Sequence, residues 1–387
     1  MATNSDFNFP SFQGLKIYNK MNTKTYTLLL LSIILTTYIS KAQIQQIDDE
    51  GTIHVPSFML PESQFLSDES KAILKEHRAY KVKALKAMQH ACPPPKKGVS
   101  LKERKQYREC LAAHFYTTPV YKKTIARYPI DIKIDTINRV YTEVFTPKEG
   151  IAKENQNKVL INLHSGAFQF DSQTASRIES IPIAALSGIK VISIDYRMGP
   201  EYQFPAASED VATVYKSLLE EYKPQNIGIY GTAGGGQLVS QALAWFQKEN
   251  LPNPGAIGMI GMAAAEPRPK TDSMHIISAV DGHEGIAPFT VFEPYYGADP
   301  DFDDPLLVPL NSKEILSKFP PSLLIVSTRD FHMSSVVYTH TQLIKLGVEA
   351  DLHVWEGVGH VFTANVELSE SREAFNVIVN FFKKHLH

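Results

Sequence analysis

The sequence predicts an α/β protein built on a mostly parallel, eight-stranded sheet that carries helices on both faces. The first observation is that strand-like runs alternate with helical stretches over most of the 387 residues, as expected when crossover helices connect parallel strands. The second is that five runs are largely apolar along their whole length, which is typical of strands buried on both faces. These five runs are residues 158–163, 190–194, 227–230, 256–262 and 323–327.

Two helices are predicted before the sheet. Residues 67–90 are rich in Lys, Ala and Glu and are followed by three prolines, and Ser100 with Glu103 has the pattern of a capping box that begins a second helix. The alternation of apolar and polar residues that is typical of strands starts only after residue 128. We therefore expect a linker and helical cap over residues 43–128 and an α/β domain over residues 129–387.

The remaining strands and helices follow in chain order. Alternating runs predict two strands with one solvated face, and a third short run predicts the last strand of the sheet. These three runs are residues 130–134, 140–145 and 351–355. Helical spacing of apolar residues predicts the crossover helices and a final amphipathic helix. These helices cover residues 206–222, 236–248, 333–346 and the stretch from Phe375 to Leu386.

The composition argues against several function classes. Lys and Arg number 39 against 41 Asp and Glu, so the net charge of −2 leaves no basic excess to neutralise phosphates, and nucleic acid is not an expected partner. Hydrophobic residues make up 43% and charged residues 21%, as in globular proteins. Cys and His show no metal-ligand spacing. We expect neither a metal nor a cofactor, and the sequence does not predict the oligomeric state.

The N-terminus has the pattern of an export signal. Residues 27–35 are apolar, two lysines precede them, and a small-x-small tripeptide ends at Ala42. This core is shorter than the ~20 residues that a spanning helix needs, so cleavage near Ala42 is favoured over a permanent membrane span. Translation from Met21 and retention of the segment as a signal anchor are alternatives. Residues 1–42 are therefore assigned to the signal region of an exported protein.

Cys92 and Cys110 are the only cysteines of the chain. In an exported protein an isolated pair of this kind is a candidate disulfide. The alternative is a pair of buried thiols on two helices.

Two turns after strands carry small residues. His164-Ser165-Gly166-Ala167 follows the strand at 158–163, and such residues let backbone N–H groups approach a reacting oxygen. The second turn, 231–236, reads G-T-A-G-G-G and precedes a helix. Glycines two before and two after Ala233 give it the spacing of a nucleophile elbow, G-x-S-x-G. A phosphate-binding loop is the alternative, but the G-x-G-x-x-G spacing and a following Walker lysine are missing.

An acid and a histidine follow the last two strands. Asp330 comes after the run at 323–327, and His360 comes after the run at 351–355. A single surface Asp or His is usually solvated or caps a helix. Here the order along the chain is elbow, acid, histidine, which is the order of the catalytic groups in α/β-hydrolases.

The chain resembles the hormone-sensitive-lipase family of α/β-hydrolases over residues 58–387. The most specific stretch is 195–207, D-Y-R-M-G-P-E-Y-Q-F-P-A-A, which is similar to the family block D-Y-R-L-A-P-E-x-x-F-P-A. Residues 327–362 are similar to the branch described as monoterpene ε-lactone hydrolases. The resemblance implies an α/β-hydrolase fold, hydrolysis of carboxylic esters or lactones, and a helical cap over the acyl pocket at 58–128.

The resemblance also implies roles for individual residues. Asp330 would orient His360, and His360 would be the general base. The backbone N–H groups of Gly166, Ala167 and Gly234 would form the oxyanion hole. The apolar residues of the cap would shape a pocket for a ligand without strong charge, and they include Phe58, Met59, Leu60, Phe65 and Leu66.

The chain departs from the family pattern at two positions. Ser165 stands where the H-G-G-G motif of the family has its first glycine, and Ala233 stands where the family has the nucleophilic serine. A methyl group supplies neither an attacking oxygen nor a proton for His360 to remove. The sequence therefore predicts a weak or inactive esterase that binds a small apolar ester or lactone. The alternatives are an active hydrolase that uses water activated by His360, and a serine-to-alanine variant of an active serine esterase.

Overall fold

The structure is a computed structural model, and the chain divides into two compact units, residues 1–60 and 61–387. The described residues are 46–49, 52–54, 59–95, 100–268, 270–280 and 291–387. The predicted signal region and Phe58 lie outside them. In the first unit, β1 (Gln46–Ile47) pairs antiparallel with β2 (Ile53–His54). No helix in the described ranges is both long enough and apolar enough to cross a membrane.

An eight-stranded sheet forms the centre of the second unit. Its strands are β3 (Ile130–Ile137), β4 (Val140–Pro147), β5 (Val159–Leu163), β6 (Lys190–Ile194), β7 (Ile227–Thr232), β8 (Ala256–Ile260), β9 (Ser322–Arg329) and β10 (Ala350–Gly359). Their order across the sheet is β10-β9-β8-β7-β5-β6-β4-β3. The neighbouring strands β10, β9, β8, β7, β5 and β6 all pair in parallel. In contrast, β4 is antiparallel to both β3 and β6. The predicted fold class is confirmed.

In the described ranges, three helices precede the sheet, and the others connect or follow its strands. They are α1 (Asp68–Ala91), α2 (Leu101–Phe115), α3 (Pro119–Arg127), α4 (Ala175–Ser187), α5 (Ala206–Leu218), α6 (Gly234–Lys248), α7 (Asp272–Val280), α8 (Glu293–Tyr296), α9 (Lys313–Ser317), α10 (Met333–Lys345) and α11 (Ser369–His385). One hydrophobic cluster lies between the sheet and α5, α6 and α10, and a second lies between the opposite face and α4 and α11. The sheet is therefore covered on both faces.

The first two helices begin where the sequence predicts. The Ser67 side chain caps α1, and Ser100 and Glu103 form the complete capping box at the start of α2. A disulfide between Cys92 and Cys110 joins the end of α1 to the middle of α2. These two helices are thus covalently connected beyond the chain itself.

We predict that replacing both cysteines, Cys92→Ser with Cys110→Ser, lowers the free energy of unfolding by about 3 kcal/mol, because the unfolded chain regains the freedom of the closed loop. Urea denaturation under oxidising conditions measures this difference. With a reducing agent present, the wild type and the double variant should unfold at the same urea concentration. Equal stability of the two proteins under oxidising conditions would contradict the prediction.

Candidate active site

The turn between β7 and α6 has the geometry of a nucleophile elbow with a methyl group at its tip. Ala233 has φ 50° and ψ −121°, a backbone conformation that L residues rarely adopt. A Cβ atom on Gly231 would lie 2.3 Å from the carbonyl oxygen of Gly235, and one on Gly235 would lie 1.9 Å from that of Leu163. Both glycines are therefore required by steric contact, as in the G-x-S-x-G turn.

Asp330 and His360 form a hydrogen-bonded pair. They follow β9 and β10, which are parallel neighbours, so the ends of these strands place the two residues together. The Nδ1 atom of His360 donates to Oδ2 of Asp330 over 2.9 Å, and Oδ1 accepts from the backbone N–H group of His332 over 2.8 Å. Because Nδ1 carries the proton directed at the carboxylate, Nε2 is available to accept a proton from a ligand or water.

A cavity of about 800 Å³ connects the elbow with this pair. Ala233 and His360 both line it, as do Gly166, Ala167 and Gly234. The structure therefore brings five of the predicted site residues to one cavity, with Asp330 directly behind His360. A mostly apolar cavity of this volume is typical of a site for a small molecule.

The cap contributes to the cavity through residues other than those expected. Met59 is 94% exposed and Phe65 is 78% exposed, while Leu66 packs in the hydrophobic cluster near α11. Phe65 and Leu66 do not line the pocket as expected, because they precede α1 and the apolar side chains that reach the site come from the helices themselves. These lining residues are Met88, Tyr107, Leu111, Phe115 and Val120.

The loop after β5 lies against the first residue of α6, beside the elbow. Gly166 and Ala167 have φ values of 107° and 51°, so the loop after β5 turns sharply towards α6. A Cβ atom on Gly234 would lie 3.2 Å from the backbone nitrogen of Ala167, which shows how closely the two segments approach. Among the hydrogen bonds of the described residues, none uses the N–H group of Gly166, Ala167 or Gly234 as donor. This arrangement suits the stabilisation of an oxyanion.

Residues of the stretch 195–207 donate hydrogen bonds to the backbone of this loop. The Tyr196 hydroxyl donates to the backbone oxygen of His164 over 2.8 Å, and the Gly199 N–H group donates to that of Phe168 over 2.8 Å. The Phe168 ring stacks on Tyr295 with 4.6 Å between centroids. The most specific part of the sequence thus positions the loop after β5, and none of its residues lines the cavity at the elbow.

Glu179 is a buried carboxyl group beneath the same loop, and the sequence did not single it out. Its two oxygens accept hydrogen bonds from the Ser165 N–H group over 3.2 Å and from Nδ2 of Asn162 over 3.1 Å. Burial raises the pKa of Glu179 to about 8, although the hydrogen bonds from Asn162 and Ser165 oppose the shift. The loop that holds the N–H donors is therefore tied to a carboxyl group that is largely protonated near neutral pH.

Two further polar residues of the cavity were not predicted. Burial lowers the pKa of His332 to about 3, so this imidazole is neutral beside the His360 ring, whose centroid lies 5.7 Å away. Arg268 also lines the cavity. Within the described ranges, no cluster of His, Cys, Asp and Glu has the arrangement of a metal site.

Comparison with known families agrees with this geometry. A family model described as alpha/beta hydrolase fold matches residues 160–364, which is more than half of the chain. The chain belongs to the α/β-hydrolase family. The resemblance predicted from the sequence is therefore confirmed, and the matched range contains both turns and the Asp330–His360 pair.

Individual relatives of the chain are named as enzymes. Over 278 residues it is 25% identical to a 2-hydroxyisoflavanone dehydratase of Glycyrrhiza echinata, a match that covers 65% of this chain and 84% of that protein. It is 26% identical over 231 residues to an acetyl-hydrolase of Streptomyces hygroscopicus, covering 58% of this chain and 75% of that protein. The crystal structure of esterase E25 is similar with a TM-score of 0.71 and 28% identity, covering 86% of this chain and 99% of that one. The lineage is esterase-like.

We predict that Glu179→Gln removes part of the pH dependence of stability. The carboxyl group has a pKa of about 8 when folded and an ordinary value of 4.5. The unfolded chain therefore binds fewer protons, and the stability that this group contributes is lost as the pH rises from about 4.5 through about 8. Glutamine imitates the neutral carboxyl group. In urea denaturation, the variant should gain stability relative to the wild type on going from pH 5 to pH 8.

The exposed Glu220→Gln provides the matched control, since it also removes one carboxylate but lies at the surface. Its pH profile should follow that of the wild type. If the profiles of the wild type and Glu179→Gln run parallel between pH 5 and pH 8, the carboxyl group does not titrate as described.

Proposed function

We propose that the protein is a non-covalent binder of small apolar esters or lactones, a pseudo-esterase. The observation that carries the proposal is the methyl group of Ala233 at the tip of a complete elbow. Acyl transfer in this fold starts with attack by an oxygen of the elbow residue, and alanine has none. No acyl-enzyme forms, so hydrolysis by the usual route is absent.

The parts that bind a carbonyl compound are retained. Gly166, Ala167 and Gly234 all line the cavity of about 800 Å³, and we assign their N–H groups as the donors for a carbonyl oxygen. Such donors hold a carbonyl oxygen, and the apolar walls bury the rest of a small ester. Oxyanion stabilisation and binding in serine hydrolases survive the loss of the nucleophile. Ligand binding without covalent turnover is therefore consistent with the site.

The retained Asp330–His360 pair supports a second candidate, catalysis by a general base. Nε2 of His360 could activate water for direct attack on an ester. It could also remove a proton next to a carbonyl group, since the N–H donors that stabilise an oxyanion also stabilise an enolate. Neither reaction needs a nucleophilic side chain. The relative from Glycyrrhiza echinata is named as a dehydratase, so this lineage includes a protein whose name describes elimination rather than hydrolysis.

We predict that Ala233→Ser creates or strongly increases hydrolysis of p-nitrophenyl butyrate. The loss of a nucleophile costs a factor on the order of 10⁶ in a comparable serine hydrolase, so a gain of at least about 10³ is expected if the pair and the N–H donors are in place. Release of p-nitrophenol measures the rate. The double variant, Ala233→Ser with His360→Ala, should hydrolyse the ester only at the rate of the wild type.

The matched control is Ala113→Ser, which adds the same hydroxyl on an exposed position of α2 and should leave the rate unchanged. Absence of any gain in Ala233→Ser would contradict an intact site. Turnover by the wild type that His360→Ala abolishes would favour general-base catalysis over binding alone.

We also propose that the protein is exported. The apolar segment at 27–35 and the small-x-small tripeptide ending at Ala42 support this, and the Cys92–Cys110 disulfide fits an oxidising compartment. We predict that N-terminal sequencing of protein recovered outside the cytoplasm begins at Gln43. A product in the cytoplasmic fraction that retains residues 21–42 would contradict cleavage and export.

A further inference from the structure

One wall of the cavity carries a cation without a partner in the described part of the chain. Arg268 lines the cavity together with Ala233 and His360. Its Nη2 atom is buried, and no described group accepts a hydrogen bond from it. No carboxylate of the described residues forms an ion pair with this guanidinium, whereas Arg177 and Arg197 are both paired with acidic side chains.

An unpaired guanidinium with a buried Nη2 atom costs free energy. Burial lowers the pKa of Arg268, but an arginine remains charged at any physiological pH. Removing a charge from water costs free energy that only an opposite charge and well-placed hydrogen bonds offset. Since the chain places no carboxylate against Arg268 in its described ranges, an anionic group on the ligand would provide the compensation.

Arg268 and the N–H donors lie on different parts of the cavity wall. Arg268 follows β8, which pairs with β9, whereas the loop with the N–H donors follows β5 on the other side of β7 in the sheet. The cavity also contains Asp171, which accepts a hydrogen bond from Oγ1 of Thr174 over 3.4 Å on the oxyanion-loop side. Asp330 is already engaged by His360. The cation and the N–H donors therefore mark two separate polar positions on an otherwise mostly apolar surface.

We infer that the ligand of this cavity carries two groups, a carbonyl held by the N–H donors at the elbow and a carboxylate held by Arg268. This inference rests on the proposed function and specifies the ligand class as an ester or lactone with a free carboxylate, for example a half-ester of a dicarboxylic acid. A guanidinium binds a carboxylate through two parallel hydrogen bonds, which adds orientation as well as affinity. The apolar chain between the two groups lies along the walls formed by the cap helices.

Titration calorimetry with a matched pair of esters tests the inference. Monomethyl suberate carries one carboxylate and one methyl ester, whereas dimethyl suberate has the same chain without a charge. We expect the wild type to bind the monomethyl ester at least about tenfold more tightly, since hydrogen bonds to charged groups contribute this much or more. Arg268→Met should lose that preference while still binding dimethyl suberate. Lys270→Met, which removes an exposed cation two residues away, should keep the preference.

The outcomes distinguish a failure of the carboxylate inference from a failure of the proposed function. If the wild type binds both esters equally, or if Arg268→Met keeps the preference for the monomethyl ester, the carboxylate inference is wrong while the binding of carbonyl compounds stands. If the wild type binds neither ester, both proposals are overturned. The comparison of the two esters on the wild type needs no variant, so a folding defect in Arg268→Met would not obscure the result.

Discussion

The contact between the start of α6 and the end of β5 is the constraint on which the site depends. Gly235 lies so close to the carbonyl oxygen of Leu163 that no side chain fits there. Because of this contact, the turn at Ala233 packs directly against the loop that contains Gly166 and Ala167. The elbow and the loop after β5 are therefore one steric unit, and the glycine contacts that form it do not involve the side chain at position 233.

The Asp330–His360 pair depends on a different part of the fold. Its geometry follows from the parallel pairing of β9 with β10 and from the buried carboxylate that accepts two hydrogen bonds. The side chain at position 233 takes no part in that pairing. This independence explains how a chain can lack the nucleophile and still hold an imidazole ready to accept a proton. The same site is thus compatible with binding and with base catalysis.

The sequence predicted the parts of the site that lie next to strand ends. Ala233, Asp330 and His360 were found because buried strands are recognisable and polar residues follow them directly. The helix α4 was missed since Pro182 interrupts its pattern, and Glu179 on that helix was missed with it. Arg268 lies in an irregular stretch after β8 where no periodicity marks it. The pocket residues of the cap were misplaced because helix faces, not apolar residues alone, determine what reaches the cavity.

The disulfide also affects the helices that line the cavity. Cys110 lies on α2 between Tyr107 and Leu111, and Cys92 ends the helix that contributes Met88. The disulfide, whose formation removes two protons and two electrons from the thiols, therefore connects two helices that supply apolar residues to the cavity wall. After reduction of this bond the two helices would be connected through the chain alone. A change of redox conditions would therefore act on the shape of this wall, although neither cysteine lines the cavity.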